Sequence, residues 1–238
     1  VAKGEAHGFV SAGNSGAVMA FALFTLGRIK GMERPALGLA YPTRNGPCLM
    51  LDVGANTDCK PHYLSQFARM GSVYYQKVYG ADSPTVGLLS TGEEESKGTQ
   101  MIQEAHRLLK TSGLNFIGNV EGKDLPAGAA QVVVCDGFTG NVALKLSEGL
   151  AEVLVSTLRE ELTSSLLSRL AAAIMRPNFR RAMKTFDYAE YGGLPLLGVN
   201  GVCIIAHGRS NARAIKNALR AAKHAAEQRM VEAIRDAL

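Results

Sequence analysis

The sequence has few cysteines, and none of the four forms a CxxC pair. Cys48, Cys59, Cys135 and Cys203 lie far apart, which argues against a structural zinc site and a disulfide-stapled domain and fits a reducing, cytosolic compartment. No apolar run reaches the ~18–20 residues that a membrane span requires. The opening residues, Val1-Ala2-Lys3-Gly4-Glu5, lack the charged and apolar regions of a signal peptide. The nucleotide-binding signatures GxxxxGK[ST] and GxGxxG are missing, and so is the GxSxG elbow. These absences exclude a P-loop hydrolase, a Rossmann dehydrogenase and an ordinary serine esterase. There is no internal repeat, low-complexity tract or Pro/Gly/Ser linker.

What is present is an ordinary globular balance over 238 residues, with 47% hydrophobic and 20% charged side chains. The formal net charge of +5 points mildly to an acidic partner, an anionic substrate or a membrane surface. The 26 glycines are an excess, and they cluster in short polar motifs. Apolar runs at 36–41, 48–53, 85–89, 116–120, 131–135, 194–199 and 202–205 predict strands. Helical patterns at 16–29, 61–79, 96–110 and 140–158 alternate with them, which predicts an α/β fold with a mostly parallel sheet. Asn200-Gly201 predicts a hairpin between the last two strands. Residues 210–238 predict one long helix capped by Ser210. The chain reads as one domain over 1–238. It lacks an initiator Met, and few strands precede its first glycine motif, so the expectation is a missing upstream segment.

Ligands in open α/β sheets bind at the carboxyl ends of strands. Four such ends are polar and glycine-bearing here: Ser11–Ala17, Asp52–Asn56, Gly87–Glu94 followed by Lys97-Gly98, and Cys135–Asn141. Together they predict an anion site, although each alone is compatible with a plain turn. Lys97 suits a phosphate ligand, or is a solvated lysine in the first turn of a helix. Asn141 suits an oxyanion donor, or is an N-cap. Asp136 orients a donor, or makes a turn, and the same alternatives apply to Asp52 and Asn56. Cys135 ends a Val-rich strand with no activating histidine nearby, which favours a buried structural thiol over a nucleophile. His207 contacts ligand or is structural. His62, His106 and His224 receive no role.

Residues 162–186 carry five basic side chains (Arg169, Arg176, Arg180, Arg181, Lys184) and no acidic one. Leu158, Leu162, Leu166, Leu170 and Ile174 recur every fourth residue. Phe179, Met183 and Phe186 share a face beyond Pro177. The pattern predicts two amphipathic helices meeting at Pro177, as a protruding element over 158–187. Such an element suits an anionic membrane surface, or a hairpin packed on the core or on a second subunit.

Taken together, SAGNSGA, RPAL, DVGAN, GLLSTGEEESKG, IGNVEG, VVVCDGFTGNVALK, EYGGLPLLGVNG and AHGRS resemble the bacterial acyl-ACP:phosphate acyltransferases of phospholipid synthesis, the PlsX family. They occur in that family's order and span the chain from about Gly8 to its end. The family usually has Thr where Ser15 stands and Asn-Ile where Ser90-Thr91 stand, and it carries an N-terminal segment absent here. The resemblance implies a three-layer α/β/α fold like phosphate acetyltransferases and isocitrate or isopropylmalate dehydrogenases. It implies a homodimer, no metal and no nicotinamide or other cofactor. It implies acyl transfer from acyl carrier protein to inorganic phosphate, with peripheral attachment to the inner face of the cell membrane and no nucleic-acid partner. On this reading Lys97, Asn141 and Asp136 are catalytic, and Ser11, Gly13, Asn14, Ser15, Gly16, Asp52, Asn56, Gly140 and His207 bind substrate or phosphate. Leu166, Leu170, Ile174, Arg176, Phe179, Arg180 and Met183 meet the membrane. The alternatives are an acyl-CoA-using enzyme like phosphate acetyltransferase, and a non-catalytic scaffold that binds carrier protein or membrane.

Overall fold

A computed structural model describes residues 1–185 and 192–238. Among the described residues eight strands form one sheet: β1 (Gly8–Ser11), β2 (Ala36–Thr43), β3 (Gly46–Leu51), β4 (Val86–Leu89), β5 (Phe116–Val120), β6 (Val132–Val134), β7 (Leu194–Leu197) and β8 (Val202–Ile205). Their spatial order is β1-β8-β7-β2-β3-β6-β4-β5. β3, β6, β4 and β5 are mutually parallel. β1 and β8 are parallel to each other, while β7 and β2 make antiparallel ladders between the two groups. The central strands are apolar without alternation, as a sheet covered on both faces requires. Val132, Val133 and Val134 are all buried.

One face carries α2 (Pro61–Tyr79), α3 (Gln100–Lys110), α7 (Ala212–Glu227) and α8 (Met230–Asp236). Their apolar stripes bury Phe67, Leu64, Met70, Leu109, Ala218 and Ile234 against Leu49, Leu51, Val86 and Ile204. Each large side chain so buried contributes about 1.5–3 kcal/mol. The other face carries α1 (Ser15–Thr25), the short α4 (Asp124–Ala127) and the start of α5 (Gly137–Thr163). There Val18 and Ala22 pack with Val53, Leu89, Val133, Cys135 and Ile205. The three-layer α/β/α expectation therefore holds.

Local departures from the sequence pattern have identifiable causes. The C-terminal helix is two helices, because Arg229 adopts a left-handed φ of 50° and breaks the run. Its cap is Asn211, whose side chain accepts from the Ala214 N–H, and not Ser210. Pro177 lies inside α6 (Leu166–Thr185) and does not divide it; the break falls at Ser164-Ser165, after α5. Lys97 precedes α3 instead of opening it, since Thr99 is that helix's N-cap. Asn141 lies in the second turn of α5, whose cap is Asp136.

Ser147 is the last described tie of α5 to the sheet, its hydroxyl 2.9 Å from the Tyr41 hydroxyl of β2; farther along, α5 is exposed and α6 packs against it. The pair is an arm whose apolar residues face outward. Leu166 and Ile174 are 79% and 81% exposed, and Leu146, Leu150, Val153, Leu154 and Leu170 are exposed too. Arg176 and Phe179 lie on α6. The side chains of Arg180, Met183 and Lys184, and all of Phe186 and Glu190-Tyr191, lie outside the described residues. No helix among the described residues is long and apolar enough to cross a membrane.

Candidate active site

β3, β6 and β4 are adjacent and parallel, so the loops that follow them leave one edge of the sheet side by side, at the ~4.8 Å spacing of paired strands. Three of the four expected loops meet there. The fourth follows β1, several ladders away and of opposite polarity.

Asp52 organises the first loop. Its side chain is fully buried. Oδ1 accepts from the backbone N–H groups of Leu37 (3.0 Å), Gly54 (3.2 Å) and Ala55 (3.0 Å). Oδ2 accepts from the Asn56 N–H (2.7 Å) and from Asn56 Nδ2 (2.9 Å). Burial pushes the carboxyl up, and these N–H donors oppose that rise. Asn56 also donates from Nδ2 to the Pro35 carbonyl at 2.7 Å, so the turn is tied to the entry of β2. Asp52 and Asn56 thus build the site and are not exposed ligands.

The start of α5 docks on this turn, backbone against backbone. The Gly137 N–H donates to the Asn56 carbonyl at 2.6 Å. A Cβ on Gly140 would stand 1.9 Å from the Asp52 carbonyl oxygen. Asp136 caps the helix, accepting from the Thr139 N–H (2.8 Å) and the Thr139 hydroxyl (2.7 Å). Asn141 lies over Gly54, where a Cβ would come within 2.8 Å of its amide nitrogen, and Gly54 has a φ of 138°. The Asn141 side chain is exposed and its amide makes no hydrogen bond among the described residues. It is therefore an unengaged donor in the second turn of α5, one turn from the end whose backbone N–H groups favour negative charge.

Lys97 is exposed on the neighbouring loop, its stem packed across Gly92. Two residues given no role by the sequence reading hold that loop. Asn119, buried near the end of β5, donates from Nδ2 to the Glu94 carbonyl at 2.8 Å. Its Oδ1 meets Nδ1 of the buried His106 at 2.9 Å. His106 Nε2 lies 3.4 Å from Glu95, which also pairs with Lys110. The one signal in the sequence is a polar residue at the buried end of an apolar strand.

Cys135 is buried beside Asp52, its Sγ 3.4 Å from the Asp52 carbonyl. Burial, then the charges of Asp136 and Asp52, raise its pKa well above the ordinary thiol value. Cys59 is pushed up to about 12 by burial and by Asp52, Asp136 and Asp58. Both thiols stay protonated near neutrality, which disfavours an acyl-cysteine.

The β1 loop closes on itself. Ser11 Oγ accepts from the Gly13 N–H at 3.1 Å, and Asn14 caps α1 through the Ala17 N–H at 3.0 Å. Ser15 and Gly16 form the exposed first turn of α1. The His207 loop lies alongside, with Gly208 nearest to the Ala12 carbonyl and His207 Nδ1 accepting from the Arg209 N–H at 3.1 Å. This group and the Asp52–Asn141 group border the same layer, because Val18 of α1 and Val53 share a core cluster with the partly buried Ala55 and Ala143. Among the described residues no cluster of three His, Cys, Asp or Glu side chains could hold a metal.

Comparison with solved structures finds this fold in the EutD phosphotransacetylase from Staphylococcus aureus. The TM-score is 0.58 at 16% identity, covering 100% of this chain and 65% of that one. A branched-chain phosphotransacylase from Enterococcus faecalis V583 gives 0.54 at 15%, covering 94% and 75%. The family described as "Fatty acid synthesis protein" matches residues 1–233. A phosphate acyltransferase from Pelotomaculum thermopropionicum is 50% identical over all of this chain and 70% of its own length. One from Geobacter sulfurreducens is 55% identical over 92% of this chain. The chain belongs to the phosphate acyltransferase family. It spans 63% of the Geobacter sulfurreducens acyltransferase's length. In this acyltransferase the Asp52 turn, the α5 start and the Lys97 loop follow the adjacent parallel strands β3, β6 and β4.

Proposed function

We propose that this protein transfers a long-chain acyl group from acyl carrier protein to inorganic phosphate, giving acyl phosphate for phospholipid synthesis. The observation that carries the proposal is the shared edge of β3, β6 and β4, with the exposed Asn141 amide and the exposed Lys97 on neighbouring loops. A phosphate oxygen attacks the thioester carbonyl carbon, the tetrahedral oxyanion collapses, the C–S bond breaks, and the carrier thiolate leaves and takes up a proton. Phosphate near neutrality is already anionic, so the protein's task is to hold it at near-attack distance and to stabilise the oxyanion. Lys97 and the N–H groups of the loops after β3 and β4 hold phosphate in this reading, while Ser11, Gly13, Asn14, Ser15, Gly16 and His207 form a separate polar group at the ends of β1 and β8. Asn141 polarises the carbonyl. Asp136, Asp52, Asn56 and Gly140 act through the helix start they build. Lys97→Ala is expected to raise the KM for phosphate by about tenfold or more with the melting temperature unchanged. Unaltered phosphate kinetics would remove Lys97 from the site.

The arm is proposed as a peripheral contact with anionic membrane, where acyl phosphate is consumed. Its outward apolar residues and the cationic surface of α6 support this reading. Leu170→Glu with Ile174→Glu is expected to abolish flotation with phosphatidylglycerol vesicles and to leave turnover of soluble substrate intact. Retained flotation would favour the homodimer reading for this surface, which sedimentation of the same variant would test.

A further inference from the structure

Residues 209–229 hold six basic side chains and one acidic one, a net +5 that equals the formal charge of the whole chain. The 162–186 arm holds another five basic residues and no acidic one. The rest of the molecule, with 15 basic and 20 acidic side chains, is net acidic, and the excess of positive charge is concentrated in these two segments. They differ in kind. On α6 the charge accompanies large exposed apolar side chains, as a lipid surface requires. On α7 it forms a stripe. Arg213, Lys216, Arg220 and Lys223 recur at i, i+3, i+7 and i+10, all exposed, on the side opposite the buried Ala214, Ala218, Ala222 and Ala225. Leu219, 55% exposed, is the large apolar residue beside the stripe. Lys223 is tied to Glu227 at 3.6 Å, and Arg220 lies 3.5 Å from Asn217 Oδ1.

The position of the stripe matters as much as its charge. α7 begins at the Asn211 cap, directly after the His207-Gly208 loop that lies against Ala12 of the β1 loop. A partner seated along α7 has the glycine-rich β1 loop at one end of its footprint. A face rich in charge and nearly bare of apolar groups recognises its partner by electrostatic complementarity, which sets encounter rate and orientation.

We propose that the basic face of α7 is the docking surface for an acidic protein that carries the acyl thioester. This rests on the carrier-protein reading given above. The test compares the intact protein with its Lys216→Glu, Arg220→Glu variant, using acyl carrier protein and acyl-CoA as alternative donors. The variant is expected to raise the KM for the carrier thioester by about tenfold or more. The KM for phosphate, kcat/KM with acyl-CoA and the melting temperature should be unchanged. The unsubstituted protein should lose affinity for the carrier, but not for acyl-CoA, as salt rises. A Lys216→Gln, Arg220→Gln variant, which removes charge without reversing it, should fall between. An unchanged carrier KM, an equal loss with both donors, or a loss confined to vesicle binding would each overturn the assignment. Absence of turnover with carrier thioester in the unsubstituted protein would overturn the donor reading itself, and this proposal with it.

Discussion

Gly140→Ala is expected to abolish activity and to cost about 3 kcal/mol or more of stability, because its Cβ would stand 1.9 Å from the Asp52 carbonyl oxygen. Overpacking is often relieved by rotating a neighbouring side chain, but here the obstacle is backbone. That backbone is in turn held by the N–H groups that converge on the Asp52 carboxylate. Either α5 moves off the turn or the turn breaks its own hydrogen bonds. A urea titration measures the stability change. Gly149→Ala, on the same helix with open space around it, is the control and should be neutral or slightly stabilising. Wild-type stability in Gly140→Ala would mean that α5 does not dock as described.

Asn141→Ala is expected to lower kcat by about 10²–10³-fold, the usual effect of removing one oxyanion donor. The side chain is exposed and carries no internal hydrogen bond, so stability should change by less than about 0.5 kcal/mol. The separation of the two effects is informative. Gly140 tests the scaffold and Asn141 tests the chemistry carried on it. Asn141→Asp should be at least as damaging as the alanine variant, since it places a negative charge where an oxyanion develops. Near-normal turnover in Asn141→Ala would reduce the residue to a surface amide.

The layers and most strands are legible in the sequence because apolar runs such as Val132–Val134 have no other use than a doubly covered sheet. Helix ends are less legible. Caps depend on which of several polar residues reaches back to an N–H, so Ser210 and Asn211 look alike until the backbone is placed. The run at 210–238 conceals its break because Arg229 is unremarkable in composition and exceptional only in its φ. Pro177 is the reverse case, a strong breaker carried inside a helix while the chain turns twelve residues earlier at Ser165.

The candidate site divides in the same way. Strand-end motifs announce themselves through glycine and polar residues, but their grouping depends on strand order and polarity, which no local pattern contains. Asp52 reads as a candidate ligand and is the buried hub of a turn. Asp136 reads as ligand or turn-maker and is a helix cap. His106 and Asn119 carry no motif, and their link to the Lys97 loop exists only through contacts between α3, β5 and that loop.

The most direct test is acyl-phosphate formation from palmitoyl-acyl carrier protein and inorganic phosphate, measured beside acetyl-CoA as the rival donor. Phosphate-dependent product is expected from the carrier thioester, little or none from acetyl-CoA, and loss of product in Asn141→Ala. Acetyl phosphate from acetyl-CoA with no product from the carrier thioester would contradict it, and no turnover of either donor by the folded protein would leave a carrier- or membrane-binding scaffold in its place.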